Sequence, residues 1–317
     1  MKHRRLLAAG VATLAATAII AGCGGDDGGS GASNLSGKIL IDGSSTVAPL
    51  SIGAADAFAA DNANVDIQVG TSGTGGGFEV FCKGETDISD ASRSINDEEK
   101  AACAKAGIQF TELRVASDGV TLVTKKDGAI GKACITTDEL KKIWLKGSTI
   151  DNWKDVGPGW NDVKMTLAGA GSQSGTYDFF NEEILGEDAK GEVNAPRQDY
   201  SASEDDNVTV TAVKGAEGGL GYFGFTYYEE NVDSVTALEV DAGDGCVAPS
   251  PETITDGSYK PLSRPLFIYV KSTSLEQPHV KAFVRYYIEN AVKLAQDNQF
   301  VPAPQTSLDE ALAKLPA

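Results

Sequence analysis

The sequence predicts an α/β protein in which short strands alternate with helices around mostly parallel sheets. Three observations carry that expectation. Runs such as Val65, Ile67 and Val69 alternate apolar and polar side chains, and helical patterns with three-to-four-residue spacing follow them. Three of the strand-to-helix junctions are turns rich in Ser, Thr and Gly. The chain is 317 residues long with 41% hydrophobic content, enough to bury two lobes.

The first 22 residues stand apart from the fold. Lys2, Arg4 and Arg5 make a cationic start, Leu6 to Ile20 is apolar, and Ile20-Ala21-Gly22 leads into Cys23. That is the pattern of a bacterial lipoprotein signal peptide. In this reading residues 1–22 are removed and Cys23 becomes the lipid-modified N-terminus, anchoring an extracytoplasmic protein to the cell membrane. Residues 23–36 are mostly Gly, Ser and Asp, can bury nothing, and read as a flexible tether. Four cysteines remain: Cys82, Cys103, Cys134 and Cys246. An even number in an exported protein favours disulfides, and four allow about three connectivities. We expect Cys82–Cys103 and Cys134–Cys246, because each pair then stays largely within one sequence region. The spacings fit no zinc pattern, and no metal is expected.

The elements follow in order. Lys38 to Ile41 alternates as a strand, Asp42-Gly-Ser-Ser-Thr46 turns, and a helix presents Leu50, Ala54, Ala57 and Phe58 on one face. Pro49 suits its first turn, where a backbone N–H has no partner. Val65–Val69 is the next strand, and Gly70 to Gly77 is a turn before a helix near Phe78. Its three consecutive glycines would let the backbone approach a ligand closely. No Gly-Lys-Ser/Thr follows, so this is not a nucleotide loop. Thr86 to Ile95 carries one cation, Arg93, among small polar residues. Asn96 caps a helix from about Asp97 to Ala106 that Gly107 ends. Ile108 to Val115 reads as a strand, interrupted by Ser117-Asp118-Gly119 before Val120 to Thr124; the chain is expected to change lobes there. Thr136 to Glu139 is a capping box for a helix carrying Leu140, Ile143 and Trp144, and Trp153 and Trp160 read as packing residues. Met165 to Ala168, the turn at Gly171–Thr176 and a helix from Tyr177 to Glu183 make the third strand–turn–helix unit. Tyr200 to Asn207 is an acidic turn, and Gly218 to Gly224 alternates glycine with aromatics. Pro261 to Val270 reads as a return strand. A helix follows over Pro278–Leu294, with Val280, Phe283, Val284, Tyr287, Ile288 and Val292 apolar. A last helix starts at a capping box, Ser307 to Glu310.

Net charge is −18, which argues against a nucleic-acid partner. Beyond the signal the one histidine is His279, far in sequence from every Ser-rich turn, and those turns hold no Gly-x-Ser-x-Gly elbow. A Ser–His–Asp hydrolase would lack its parts. No catalysis and no cofactor are expected, and binding is the favoured class. The three turns offer unpaired N–H groups at the positive ends of helix dipoles, a natural anion site. Each dipole contributes about 0.3–1 kcal/mol and each charge-assisted hydrogen bond roughly 1.5–3 kcal/mol. Such donors work at contact distance, while distant charges are screened beyond about 8–10 Å.

Four motifs then occur in order: Asp-Gly-Ser-Ser-Thr-Val-Ala-Pro-Leu from Asp42, Gly-Thr-Gly-Gly-Gly-Phe from Gly73, Asp-Ile-Ser-Asp-Ala-Ser-Arg from Asp87, and Gly-Ser-Gln-Ser-Gly-Thr-Tyr-Asp-Phe-Phe from Gly171. Over residues 37–317 the chain resembles the substrate-binding proteins of Pst-type phosphate ABC transporters. The resemblance implies a two-lobed type II periplasmic-binding fold, lobe I being residues 37–116 and 262–317 and lobe II residues 117–261. It implies a monomer that binds inorganic phosphate in the cleft between lobes and delivers it to transmembrane permease subunits. By position, Ser45 and Thr46 match the first turn's donors, Thr74 the second's, and Ser174, Gly175 and Thr176 the third's. Some members carry an Arg shortly before Ser-Gly-Thr and an Asp near the position of Arg93. Here Ala168-Gly-Ala-Gly171 lacks that Arg, so the resemblance puts the cation on Arg93. A buried carboxylate that accepts phosphate's proton would repel sulfate, which has none; Asp90 and Asp42 are the candidates, with Asp118 and Asp178 behind them. The alternatives are a receptor for another oxyanion (sulfate, molybdate or a phosphorylated compound), a secreted phosphatase-like hydrolase, or a surface lipoprotein without a ligand.

Overall fold

The structure is a computed structural model, and it describes residues 35–316. The signal sequence, Cys23 and most of the tether lie outside the described residues. The chain begins with β1 (Gly37–Gly43), α1 (Ala48–Ala59), β2 (Val65–Val69), α2 (Gly73–Cys82), β3 (Ile88–Ala91), α3 (Asp97–Lys105) and the long β4 (Phe110–Lys125). Next come β5 (Cys134–Thr136), α4 (Thr137–Trp144), β6 (Met165–Ala170), α5 (Gly175–Phe180), β7 (Ser201–Ser203), α6 (Asp206–Lys214), β8 (Gly218–Gly224) and α7 (Phe225–Glu230). Short strands β9 (Val235–Ala237), β10 (Glu239–Asp241) and β11 (Cys246–Val247) and helix α8 (Pro251–Thr255) lead into the second long strand, β12 (Ser263–Lys271). Then follow α9 (Ser272–Leu275), α10 (Pro278–Glu289), α11 (Ala291–Asp297), β13 (Val301–Pro302) and α12 (Gln305–Lys314).

The main sheet runs in the order β2-β1-β3-β12-β4-β8-β6-β7. Strand β1 is parallel to β2 and β3, and β6 is parallel to β7 and β8. Parallel neighbours need long crossovers, which the intervening helices provide. The two parallel sets are joined by β12 and β4, each antiparallel to its neighbours on this path. Two large hydrophobic cores result. One gathers Ile39, Leu50, Phe58, Leu113, Ile268 and Tyr287 around β1, α1 and α10. The other gathers Leu122, Trp144, Trp153, Phe180, Tyr222 and Leu262 around β6 and β8. Strand β4 serves both, giving Leu113, Val115 and Ala116 to the first and Val120 and Leu122 to the second.

The change of core falls at Ser117-Asp118-Gly119, but the strand is not interrupted there, as the sequence had suggested. Ser117, Asp118 and Gly119 pair in register with Pro265, Arg264 and Ser263. Turn-type residues stand in a strand because of their neighbours. A Cβ on Gly119 would lie 2.6 Å from Ile254 Cδ1, and Asp118 pairs with Arg264 at 3.2 Å. Other boundaries also shift. The expected helix over 278–294 divides at Asn290 into α10 and α11, and Val292 is exposed. Helix α12 starts at Gln305 after Pro304 and has no side-chain cap, so the expected box at Ser307–Glu310 does not form. The third-unit helix begins at Gly175 and passes into a π-helical turn over Asn181–Leu185. Both expected disulfides form, Cys82–Cys103 and Cys134–Cys246, with Cα atoms 4.3 and 6.0 Å apart. The capping boxes at Asn96 and Thr136 form, and Trp153 and Trp160 pack with ring centroids 4.5 Å apart.

The glycine run at 75–77 lies inside α2, where each Gly costs roughly 1 kcal/mol of helix propensity against Ala. Packing explains Gly77: a Cβ there would sit 2.5 Å from the Cα of Gly43, so α2 lies backbone to backbone on the end of β1. Gly77→Ala is therefore expected to destabilise the protein by about 1–3 kcal/mol in urea denaturation despite the better helix former. A gain in stability would show that the approach is not tight.

Candidate functional site

Strand ends and helix starts meet at a polar cavity of about 580 Å³. One wall carries Ser44, Ser45 and Thr46 from the first turn and Gly73, Thr74 and Gly75 from the start of α2. Ser92 and Arg93, just after β3, and Arg264 on β12 complete that wall. Opposite stand Asp178 on α5 and Glu182, Glu183 and Glu187 just beyond it.

The first turn is held by backbone contacts. The Ser44 N–H donates to the Asp90 carbonyl at 2.9 Å. Gly43 has φ +145°, and a Cβ there would lie 2.1 Å from the Asp90 oxygen, so only glycine allows β1 to enter this turn. The second turn is tied to β3: Ser92 N–H donates to Thr74 Oγ1 at 3.2 Å, and the two hydroxyls lie 3.1 Å apart. In the third turn, Ser174 Oγ accepts from Thr176 N–H at 3.2 Å and caps α5. A Cβ on Gly175 would stand 3.2 Å from Thr46 Oγ1, which places the third turn against the first. Thus Ser45, Thr46, Thr74 and Arg93 line the cavity, while Ser174, Gly175 and Thr176 do not, although Gly175 comes against Thr46 at its edge.

Two guanidinium groups face this space. Arg93 Nη1 and Nη2 donate to the two Glu99 carboxylate oxygens, each at 2.8 Å. That hydrogen bond is the main reason its pKa is held above the ordinary arginine value. The second group, Arg264, was not anticipated from the sequence. Its Nε donates to Asp118 Oδ2 at 3.2 Å and its Nη2 to Thr46 Oγ1 at 2.9 Å. Its guanidinium carbon stacks 3.7 Å from the centroid of Phe179. The Arg264 and Asp118 side chains are only 11% and 12% exposed. The available signal was a lone cation opening the otherwise apolar strand Leu266–Val270, but no Ser- or Gly-rich turn marks it.

The carboxylates are distributed differently from the expectation. Asp42 does not line the cavity; its Oδ1 accepts from Gly43 N–H at 2.8 Å and Ser72 N–H at 2.9 Å, tying two turns together. Asp90 does not line it either. It is 0% exposed, Oδ1 accepts from Ser51 Oγ at 2.9 Å, and Oδ2 has no partner. Ser51 continues to the Tyr287 hydroxyl at 3.1 Å. Burial pushes the Asp90 carboxyl up to about 7, with Ser51 opposing and Asp42 adding slightly. The acids that do line the cavity are Asp178, Glu182, Glu183 and Glu187, and burial pushes the first three up while the Arg264 charge pulls them down. His279 is elsewhere, on α10 with Nε2 3.3 Å from the Lys38 carbonyl. Among the described residues, the group with metal-ligand spacing is Cys134, Glu239 and Cys246, whose cysteines are joined as a disulfide and offer no thiolate.

Two parallel sheets joined by long antiparallel strands, with hydroxyls, helix starts and guanidinium groups around one cavity, define a periplasmic-binding-protein-like fold with a cleft suited to an oxyanion. The PBP superfamily domain matches residues 28–291. SphX from Synechococcus elongatus is 44% identical over 84% of this chain and 77% of its own length. The phosphate-binding protein PstS of Staphylococcus epidermidis is 39% identical over 96% of this chain and 91% of its own. A crystal structure of a possible phosphate binding protein from Planctomyces limnophilus superposes with a TM-score of 0.82 at 38% identity, covering 89% of this chain and all (100%) of that one. The chain belongs to the PBP superfamily and, within it, to the PstS/SphX family of substrate-binding proteins.

The buried Asp90 has a consequence for stability. Its folded-state pKa is raised from 3.8 to about 7, so the folded chain binds more protons than the unfolded chain between those values. The contribution is fully present below about pH 4 and is lost as pH rises to about 7, a change on the order of a few kcal/mol. Asp90→Asn is expected to flatten this part of the stability profile, read as urea midpoints at pH 5 and pH 7.5. An unchanged slope would show that Asp90 is ionised throughout.

Proposed function

We propose that this protein binds inorganic phosphate outside the cytoplasmic membrane and delivers it to an ABC permease. The observation that carries the reading is the cavity where Thr46, Thr74, Arg93 and Arg264 meet. The similarity to the phosphate-binding protein PstS of Staphylococcus epidermidis and to the possible phosphate binding protein of Planctomyces limnophilus supports phosphate as the ligand. The donor count supports it too. Hydroxyls, helix-start N–H groups and two guanidinium groups can replace an oxyanion's water shell, at roughly 1.5–3 kcal/mol for each bond to charge.

In this reading residues 37–116 and 262–317 form lobe I and residues 117–261 form lobe II. The change of core on β4 at Ser117–Gly119 supports the first of those limits, and near the second limit Leu262 still packs into the second core. Ser45, Thr46, Thr74 and Arg93 bind from lobe I, with Arg264 beside them on the connecting strand. Ser174, Gly175 and Thr176 reach the anion from lobe II across Thr46. Asp178 takes the role of proton acceptor. It lines the cavity and belongs to the fourth motif; burial raises its affinity for a proton, and the Arg264 charge favours the ionised form that can accept one. Binding by hydrogen bonds without a nucleophile–base pair is receptor chemistry rather than catalysis. Cys23 would carry the lipid that keeps the receptor beside its permease. Among the described residues, no helix is long and apolar enough to cross a membrane.

Calorimetry on the mature chain tests the reading: phosphate is expected to bind well below the millimolar range and sulfate far more weakly. Failure to bind phosphate below a millimolar concentration would sink it. Arg93→Ala is expected to weaken phosphate binding roughly 100-fold, the loss of two charged hydrogen bonds. Wild-type affinity in that variant would remove Arg93 from the site. Asp178→Asn is expected to lower phosphate affinity while raising that for sulfate, and equal effects on both anions would refute the acceptor role.

A further inference from the structure

We propose that Glu99 is the residue that positions Arg93 for the anion, holding one edge of the guanidinium so that the other is presented to the cleft. The inference rests on the phosphate reading above. Arg93 follows β3 in an irregular segment, and its side chain is 46% exposed. A long cationic side chain with that exposure has many rotamers, and ordering it on ligand binding costs affinity. Its protein acceptors are the Ser94 carbonyl at 3.2 Å and the two Glu99 oxygens at 2.8 Å.

Glu99 is itself fixed. Its Oε2 also accepts from Asn96 N–H at 2.9 Å, while its own N–H donates to Asn96 Oδ1 at 2.8 Å. This capping box pins the carboxylate at the N-terminus of α3. Burial is the largest single influence on Glu99 and pushes its carboxyl up. The Arg93 and Asn96 hydrogen bonds outweigh it, and the group is held below the ordinary glutamate range. Helix α3 is joined by Cys82–Cys103 to α2, which carries Thr74 and Gly75 of the same cavity wall. Cys82 Sγ lies 3.4 Å from the Glu99 carbonyl oxygen. A disulfide sulfur has no proton, so this is a packing contact. The holder of Arg93 and the second turn are therefore built as one block.

The geometry of the guanidinium determines what remains. Its five N–H donors lie in one plane. Glu99 takes the Nη1–Nη2 edge, which leaves the Nε–Nη2 edge for a tetrahedral oxyanion. A lysine at 93 would have no second edge.

A double-mutant cycle on the mature chain, read as phosphate affinity by calorimetry, tests the proposal. Glu99→Gln keeps the cap, since glutamine also serves in a capping box, but offers Arg93 one oxygen acceptor in place of two. It is expected to weaken phosphate binding about tenfold in the Arg93 background. In the Arg93→Ala background it should change nothing, because the residue it acts through is gone. The melting temperature should stay within a few degrees, which separates positioning from support of α3. Unchanged affinity in Glu99→Gln, or an equal loss in both backgrounds, overturns the proposal while leaving phosphate binding intact. An unsubstituted chain that fails to bind phosphate overturns the phosphate reading and this one with it.

Discussion

The ion pair between Arg264 and Asp118 is the contact on which the geometry of the cleft depends. It joins β12 to β4, the two strands that pass between the two cores. From that position Arg264 reaches Thr46 in the first turn and lies on Phe179 near the end of α5. One side chain thus touches both sides of the cavity and the strands that connect them. The pair is nearly buried, and removing one partner of such a pair costs about 3–5 kcal/mol because the other is left charged and desolvated. Asp118 comes from Ser117-Asp118-Gly119, which reads in sequence as a break in a strand, and Arg264 from the beginning of the stretch that reads as the return strand.

This arrangement bears on how an acidic protein can attract an anion. Each guanidinium in the cleft is already matched by a carboxylate, Arg93 by Glu99 and Arg264 by Asp118. The cleft gains no large positive field, and the additional acids Asp178, Glu182 and Glu183 oppose one. In the proposed function, attraction comes from directed N–H and O–H groups at contact distance, while the acids disfavour an oxyanion with no proton to offer. Charge neutralised within the protein also lowers the cost of leaving the cleft empty between ligands.

Much of the fold was legible in the sequence because its signals are local. Period-two strands, the Asn96 and Thr136 capping boxes and three glycine- and hydroxyl-rich turns depend on residues a few positions apart, and each appears in the structure. The disulfide pairs followed from sequence regions. Of the cavity lining, the sequence pointed to Ser45, Thr46 and Thr74 through the turns, to Arg93 as the one cation among small polar residues, and to Asp178 as a second-rank carboxylate. It did not point to Arg264, whose meaning comes from Thr46, 218 residues away, and from Phe179. Asp90 and Asp42 looked like cleft acids because they border the turns, yet neither lines the cavity: Asp42 ties two turns together, and the Asp90 carboxyl is buried against Ser51 of α1. Whether a carboxylate beside a motif faces ligand or scaffold depends on which side of the backbone it leaves, and no local pattern records that. The glycines of α2 were similarly misleading. Gly77 approaches the Gly43 backbone rather than open space.

In the proposed function Arg264, at the junction of the two cores, binds the anion and is not only a strut. Arg264→Lys separates the two roles, since it keeps a positive charge beside Asp118 but loses the planar fork that reaches Thr46 and the cavity together. Phosphate affinity measured by calorimetry beside a thermal melt is the most direct test. At least a roughly tenfold loss of affinity is expected, with a melting temperature within a few degrees of wild type. Unchanged phosphate affinity in Arg264→Lys would contradict it.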